Sequence, residues 1–399
     1  MKRRSRWLSI TTAAAALMLV AAACGGGDDG GGGGGQAADC TWVIGTMGAL
    51  SGDFASIGGP INDGIKYAVD QVNEQGDLAC QLELQSEDSQ GDPEQAPQLA
   101  QSLVQEAELV VIVGPYFSGE TLATGDIFDD AGVAFVTPSA TDQTIDDQGW
   151  DTFFRAVGDD AIQGAQAANY IQNALKASSV VVVHDNQEYS KGLADTVAEE
   201  IGGAASGPLI INPEETDYSS TVTQVQQADP DVVFYGGYAP QAGPLARQLQ
   251  EQGVEAQFLS DDGSKDDSFG ELAGPAAKGA QMTCPCADPA DVPGGQEFID
   301  GMEQANGEPP GTYGAEGFDT VNLIAEGLKD FTADDSVEDI RAGLIDFVDG
   351  VEGFKGVIKN YTFDDVGQVE VGPEGIYVYE WDEAEGQFAV LGSVEELVK

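Results

Sequence analysis

From residue 42 onward, short apolar runs rich in β-branched residues alternate with stretches whose apolar positions recur every three to four residues. Residues 42–47 read as a strand. A Gly-rich loop follows, then a helix that carries Ile57, Ile61, Ile65, Val69 and Val72 on one face. Residues 81–85 read as a second strand. Asp92-Pro93-Glu94-Gln95 then supplies an N-cap acid, a proline at the first helical position and Gln at the third, which predicts a helix over 93–106. Strands are expected at 110–113 and 134–136, with a helix between them.

The series then starts again. Residues 160–175 predict a helix, 180–183 a buried strand, 190–200 a helix and 209–211 a strand. A helix over 218–227, a strand over 232–235, a helix over 241–252 and a strand over 257–260 follow. Alternation of this kind calls for parallel sheets covered by helices on both faces, an α/β fold. Two series of similar length suggest two similar lobes. After about residue 283 the pattern changes. Helical segments at 296–304 and 313–328 precede runs at 361–363, 377–381 and 388–391 that read as antiparallel strands. The chain is expected to return to the first lobe and finish on the second.

The first residues belong to no such pattern. Lys2, Arg3, Arg4 and Arg6 make a basic start, residues 7–23 are apolar and rich in Ala, and Ala21-Ala22-Ala23 meet Cys24. This is the layout of an export signal. A Cys directly after small residues resembles the bacterial lipobox, in which that thiol is acylated, although Ala21 stands where Leu is usual. Residues 25–35 hold nine glycines and two aspartates, a tether with no reason to fold. No later run reaches the ~18 apolar residues of a membrane span. The expectation is a signal over 1–23, lipidation at Cys24, a tether over 24–38 and a mature protein held at the outer face of the cell membrane.

Charge and cysteines narrow the partners. The chain of 399 residues has 16 basic and 69 acidic side chains, a net charge of -53. Such a surface repels nucleic acid and anionic headgroups, and its plainest use is solubility, as in a saline habitat. Four cysteines remain beyond Cys24, which in an exported protein suggests disulfides. Cys40 and Cys80 each precede a predicted strand; if those strands are parallel neighbours, the two are close enough to bridge. Cys284-Pro285-Cys286 is too tight for an easy bridge, and a local disulfide there stays open.

Several chemistries are missing. His184 is the single histidine, so multi-His metal sites are excluded, and no Gly-Lys pair exists to make a P-loop. No Gly-x-Ser-x-Gly elbow occurs, and Gly45, Gly48 and Gly52 miss the dinucleotide spacing. A metal, a cofactor and enzymatic activity are therefore not expected. What the chain does carry is polar and aromatic residues just after its strands, where ligands bind in open α/β sheets. These are residues 114–118, 137–141, 184–189, 235–238 and 260–263. Each loop alone reads as capping and turn chemistry; together they put hydroxyls, amides, two tyrosines and a carboxylate around one cleft.

These stretches resemble the periplasmic leucine/isoleucine/valine-binding protein family of ABC importers, over about residues 42–381. The carriers are Gly48-Ala49-Leu50-Ser51-Gly52, Glu87-Asp88 through Asp92-Pro93, Thr137-Pro138-Ser139-Ala140-Thr141, His184-Asp185 to Tyr189 and Tyr235-Gly236-Gly237-Tyr238. The resemblance implies a type I periplasmic-binding fold, with two Rossmann-like lobes joined by three hinge crossings near Arg155, Met282 and Gly356. The first lobe would take residues 39–156 and 284–355, the second 157–283 and 356–399. It implies that Ser118 binds the ligand carboxylate and that Ser139, Ala140 and Thr141 form a gripping loop with main-chain and hydroxyl groups. Tyr189 and Tyr238 would come from the second lobe. Asp262 falls at the family's ammonium-binding glutamate, one methylene shorter. Ile57 and Tyr313 fall at side-chain wall positions; Ile57 also fits a helix core, and Tyr313 a packing role between lobes.

The function so implied is a monomeric solute-binding lipoprotein that gives leucine, isoleucine or valine to a permease. Alternatives are another amino acid, an amide or urea-like solute, or a sensing module, which would normally be fused to a transmembrane or effector segment.

Overall fold

A computed structural model describes residues 40–399; the expected signal segment, Cys24 and all but the last residues of the region before β1 lie outside them. Chain alternation becomes two sheets. The first contains β1 (Thr41–Gly48), β2 (Gln81–Asp88), β3 (Leu109–Val113), β4 (Phe135–Thr137) and β5 (Phe153–Arg155). Its order is β2-β1-β3-β4-β5, parallel throughout. The second holds the parallel strands β6 (Val180–His184), β7 (Ala205–Ile210), β8 (Val232–Gly236), β9 (Gln257–Ser260) and β10 (Gln281–Cys284). A two-residue ribbon, β11 (Phe354–Lys355) with β12 (Asn360–Tyr361), stands apart. The strands β13 (Tyr377–Asp382) and β14 (Gln387–Ser393) add antiparallel to β10, giving the order β14-β13-β10-β9-β8-β6-β7.

Burial follows the sequence pattern. Val180, Val181, Val182 and Val183 are each at most 2% exposed, as expected for a strand covered on both faces. Each such side chain contributes about 1.5–3 kcal/mol of burial. The helix Ala55–Gln75 lies against the helix Gly314–Leu328 on the first lobe. Gly64 permits the approach, because a Cβ there would run into the carbonyl of Gly314.

Local departures have local causes. Asp92 does cap its turn, accepting from Glu94 N–H at 2.8 Å, yet regular helix begins only at Ala96 and ends at Leu103. The segment expected as one helix over 160–175 is α-helical over Asp160–Asn169 and widens to a π-turn over Tyr170–Ala174. A helix over Val337–Asp349 was not expected, although Ser336 accepts from Asp339 N–H as its cap.

Two of the crossings leave β5 at Arg155 and β10 at Cys284. The third does not lie at Gly356. There Val357 N–H and Ile358 N–H donate to Asp319, on the first-lobe helix Gly314–Leu328, at 2.7 and 3.3 Å. The chain then runs beside β5: Arg155 N–H donates to Gly367 carbonyl and Val369 N–H to Arg155 carbonyl. It joins the second sheet only at β13, so the first lobe keeps residues through about 369. Of the run at 361–363, Tyr361 closes the β11–β12 ribbon and Phe363 forms an isolated antiparallel bridge with Val369. Arg155 ties the hinge from inside. Its guanidinium is fully buried and donates to Asp146 at 2.9 Å and to Gln368 at 2.8 Å.

Among the described residues two disulfides are present, Cys40–Cys80 and Cys284–Cys286. The first joins the starts of β1 and β2, which pair in parallel from Thr41 with Gln81. The second spans the turn where the chain leaves β10.

Candidate functional site

The C-terminal ends of the strands in both sheets face one cleft. On the first lobe, β3 ends in a loop to Ser118, the first residue of the helix Ser118–Asp130, with Phe117 extended before it. The start of a helix presents N–H groups without intrahelical partners, which suits an anion. Ser118 Oγ accepts from Asp142 N–H at 3.2 Å. The loop after β4 is braced inward. Thr137 Oγ1 accepts from Ala140 N–H at 2.9 Å, and Ser139 donates its hydroxyl to Tyr116 carbonyl at 2.8 Å. Ala140 therefore shapes the loop with its N–H engaged and its methyl in the core. Thr141 is fully buried, and its Oγ1 has no hydrogen-bond partner.

The second lobe supplies the opposite wall. Tyr189 is the second residue of the helix Glu188–Ile201, Tyr238 precedes the helix Ala239–Glu251, and Asp262 follows β9. Tyr189 and Tyr238 pack with ring centroids 5.2 Å apart. Tyr238 reaches across to Phe54 at 5.0 Å and Phe117 at 5.7 Å on the first lobe. Gly263 makes room for the two tyrosines within the second lobe: a Cβ there would stand 2.8 Å from the Tyr189 ring, and its N–H donates to the Tyr189 hydroxyl.

Asp262 lies at the centre, 3% exposed. Its Oδ1 accepts from Tyr189 OH at 2.8 Å and Gln163 Nε2 at 2.7 Å, and its Oδ2 from Tyr313 OH at 2.7 Å. Burial raises its pKa, while Tyr313, Gln163 and Tyr189 hold it down. Burial pushes the Tyr189, Tyr238 and Tyr313 hydroxyls well above the usual phenol range, so all three stay donors.

Tyr313 is thus more than a wall. It comes from the first lobe with φ at +64°, a region bulky residues seldom occupy, and bonds an acid on the second. Ile57 is buried and lines the same space, with Tyr116, Phe117, Ser118, Ser139, Tyr189, Tyr238, Asp262, Gly263 and Tyr313. The cavity left between them is about 20 Å³, so the lobes are closed on one another. A larger crevice of about 320 Å³ lies on the first lobe near Asp319, Phe318 and Gly356, and none of its buried polar atoms lacks a partner.

Sequence patterning places Phe117 and Asp261 within loops that follow strands and does not single out Gln163, Asp160 or Phe54. Asp160 and Gln163 sit in the first turn of their helix, where polar residues read as caps. His184, by contrast, does local work: its Nδ1 accepts from Asn186 N–H at 2.9 Å.

The arrangement can hold a dipolar ion. Hydroxyl and N–H donors lie at one end, buried acceptors at the other, and apolar rings between. Among the described residues no salt bridge neutralises Asp262, and none forms a metal-binding cluster.

A family model described as periplasmic binding protein matches residues 41–387. An amino acid binding protein of Pseudomonas aeruginosa is 31% identical over 347 residues, covering 86% of this chain and 90% of that protein. A leucine-, isoleucine-, valine-, threonine- and alanine-binding protein of the same organism is 30% identical, covering 86% and 91%. The branched-chain amino acid transporter substrate-binding protein of Streptococcus pneumoniae, solved with isoleucine, superposes with a TM-score of 0.78. It is 25% identical, and the match covers 88% of this chain and 99% of that one.

Proposed function

This chain belongs to the periplasmic binding protein family, and we propose that within it the protein is the receptor of an amino-acid importer, binding leucine, isoleucine or valine between its lobes. The observation that carries this reading is Asp262, a buried carboxylate held by three neutral donors and no cation. An acid in that setting is poised for a ligand ammonium, because a buried charge left unpaired costs several kcal/mol.

In this reading the ligand carboxylate meets Ser118 and the free N–H groups of its helix start. The ammonium meets Asp262 through a charge-assisted bond, with Thr141 Oγ1 as a further acceptor. The aliphatic side chain lies against Ile57, Phe54, Phe117 and Tyr238, and Tyr313 fastens the lobes by bonding Asp262. The relatives are amino-acid-binding proteins, which supports a receptor role over catalysis.

The family is extracytoplasmic, and among the described residues no helix is long and apolar enough to cross a membrane. We place the protein on the outer face of the cell membrane by acylation of Cys24, handing ligand to permease subunits. Cys24→Ser should release it from the membrane fraction. Calorimetry with the twenty amino acids and several amides tests the ligand: heat with leucine, isoleucine or valine supports the reading, and heat only with amides overturns it.

A further inference from the structure

The three crossings meet at Gly158. A Cβ placed there would stand 3.3 Å from Pro285 on the second crossing and 3.6 Å from Val371 on the third. The first and third are tied to each other, because Gln368 accepts from Arg155 at 2.8 Å and donates to Val157 carbonyl at 2.8 Å. The second is braced differently. Cys284 and Cys286 are bridged across Pro285 just where the chain leaves β10. Both are buried, at 0% and 3% exposed, so a reductant reaches them only when the crossing opens.

Each end of the bridged turn leads to the contact between Asp262 and Tyr313. On one side, Thr283 carbonyl accepts from Gln163 Nε2 at 3.1 Å, and the same amide donates to Asp262 at 2.7 Å. On the other, Cys286 carbonyl accepts from Tyr379 OH at 2.8 Å, and the Lys265 ammonium lies 4.3 Å from the centre of the Tyr379 ring. Lys265 then crosses to the first lobe. It donates to Thr312 Oγ1 at 3.3 Å, and the Thr312 hydroxyl donates to Lys265 carbonyl at 2.6 Å, one residue before Tyr313.

A ring closed over three residues removes most of their backbone freedom, so the lobes turn about bonds outside it. We infer that the Cys284–Cys286 bridge is a redox-sensitive brace of the cleft. Bridged, it holds the second crossing in the form that accompanies closed lobes; reduced, it lets the crossing flex, and ligand is held more weakly. The reductant is a dithiol. Its first thiolate breaks the Sγ–Sγ bond and forms a mixed disulfide, and its second releases the protein. Two electrons and two protons end on Cys284 and Cys286, and the dithiol leaves as its own disulfide. Restoring the freedom of about one residue weakens binding about five- to thirtyfold, because closure must fix that residue again. By reciprocity, ligand must protect the bridge from reduction. The ligand used in the test rests on the amino-acid reading above; the brace itself does not.

Leucine titration calorimetry compares the unaltered protein with Cys284→Ala/Cys286→Ala. Affinity should fall by that factor, and small-angle scattering should give the ligand-free variant a larger radius of gyration. Cys40→Ala/Cys80→Ala, which opens the bridge at the strand starts, should change neither. In the unaltered protein treated with dithiothreitol, peptide mapping should find Cys284–Cys286 reduced more slowly when leucine is present and Cys40–Cys80 reduced at one rate throughout. Should the variant not fold, that protection decides alone. Equal affinity with and without the bridge, or reduction of Cys284–Cys286 as fast with leucine as without it, overturns the brace and leaves the ligand assignment standing. No heat with any of the twenty amino acids overturns the ligand assignment, and the ligand-free radius then decides the brace: no difference between the two proteins overturns it too.

Discussion

The hydroxyl of Tyr313 donates to Asp262 Oδ2 across the cleft at 2.7 Å, so a residue of one lobe directly satisfies the central acid of the other. The bond has two consequences. It gives a buried carboxylate a neutral donor where no cation is paired with it, and it ties one lobe to the other.

Asp262→Ala should weaken leucine binding by about 2–5 kcal/mol, the range for truncating one partner of a buried charge pair. Titration calorimetry reads this directly. A loss under about 0.5 kcal/mol would place the ammonium elsewhere.

Tyr313→Phe removes one hydrogen bond to a charged acceptor and leaves the ring. About 1.5–3 kcal/mol of binding should go, the range for bonds to charged groups. Fluorescence or scattering should also find the closed form less populated.

Arg155 is buried where the first and third crossings run side by side. Arg155→Met removes the donor to the part-exposed Asp146 and to Gln368, and about 1.5–3 kcal/mol of stability should be lost, the range for a hydrogen bond to a charged group. Denaturant unfolding measures it. A smaller loss would mean that water reaches Asp146 and replaces the guanidinium.

Stability should also respond to pH. Burial raises Glu120, which accepts from Ser89 Oγ, to about 7. An acid whose folded pKa is raised favours folding below its unfolded value, near 4.5, and loses that contribution as pH climbs through 7. Melting temperature should therefore rise from pH 7.5 to pH 5.5. Glu120→Gln, which stays neutral, should flatten the slope; an unchanged slope would assign it to other groups.

Much of this was written in the sequence because strand ends are where α/β sheets bind ligands. Ser118, Tyr189, Tyr238 and Asp262 each follow a strand with a clear apolar run, so their convergence was legible. Asp160 and Gln163 were not, since a polar residue in a first helical turn looks like a cap whatever it faces. Tyr313 looked like a wall because a sequence does not show where a hydroxyl points. The third crossing is not legible in the sequence, because β11 and β12 span two residues each, too short to leave a period. Cys40 and Cys80 could be paired from strand order; nothing comparable decided Cys284 and Cys286.

The most direct trial compares leucine with 4-methylpentanoate, the same skeleton without its amino group, in one calorimetric experiment. Leucine should bind with micromolar or better affinity and the deaminated acid at least a hundredfold more weakly, with the gap shrinking in Asp262→Ala. Equal affinity for the two, unaltered by that substitution, would contradict the view that this cleft recognises a positive charge.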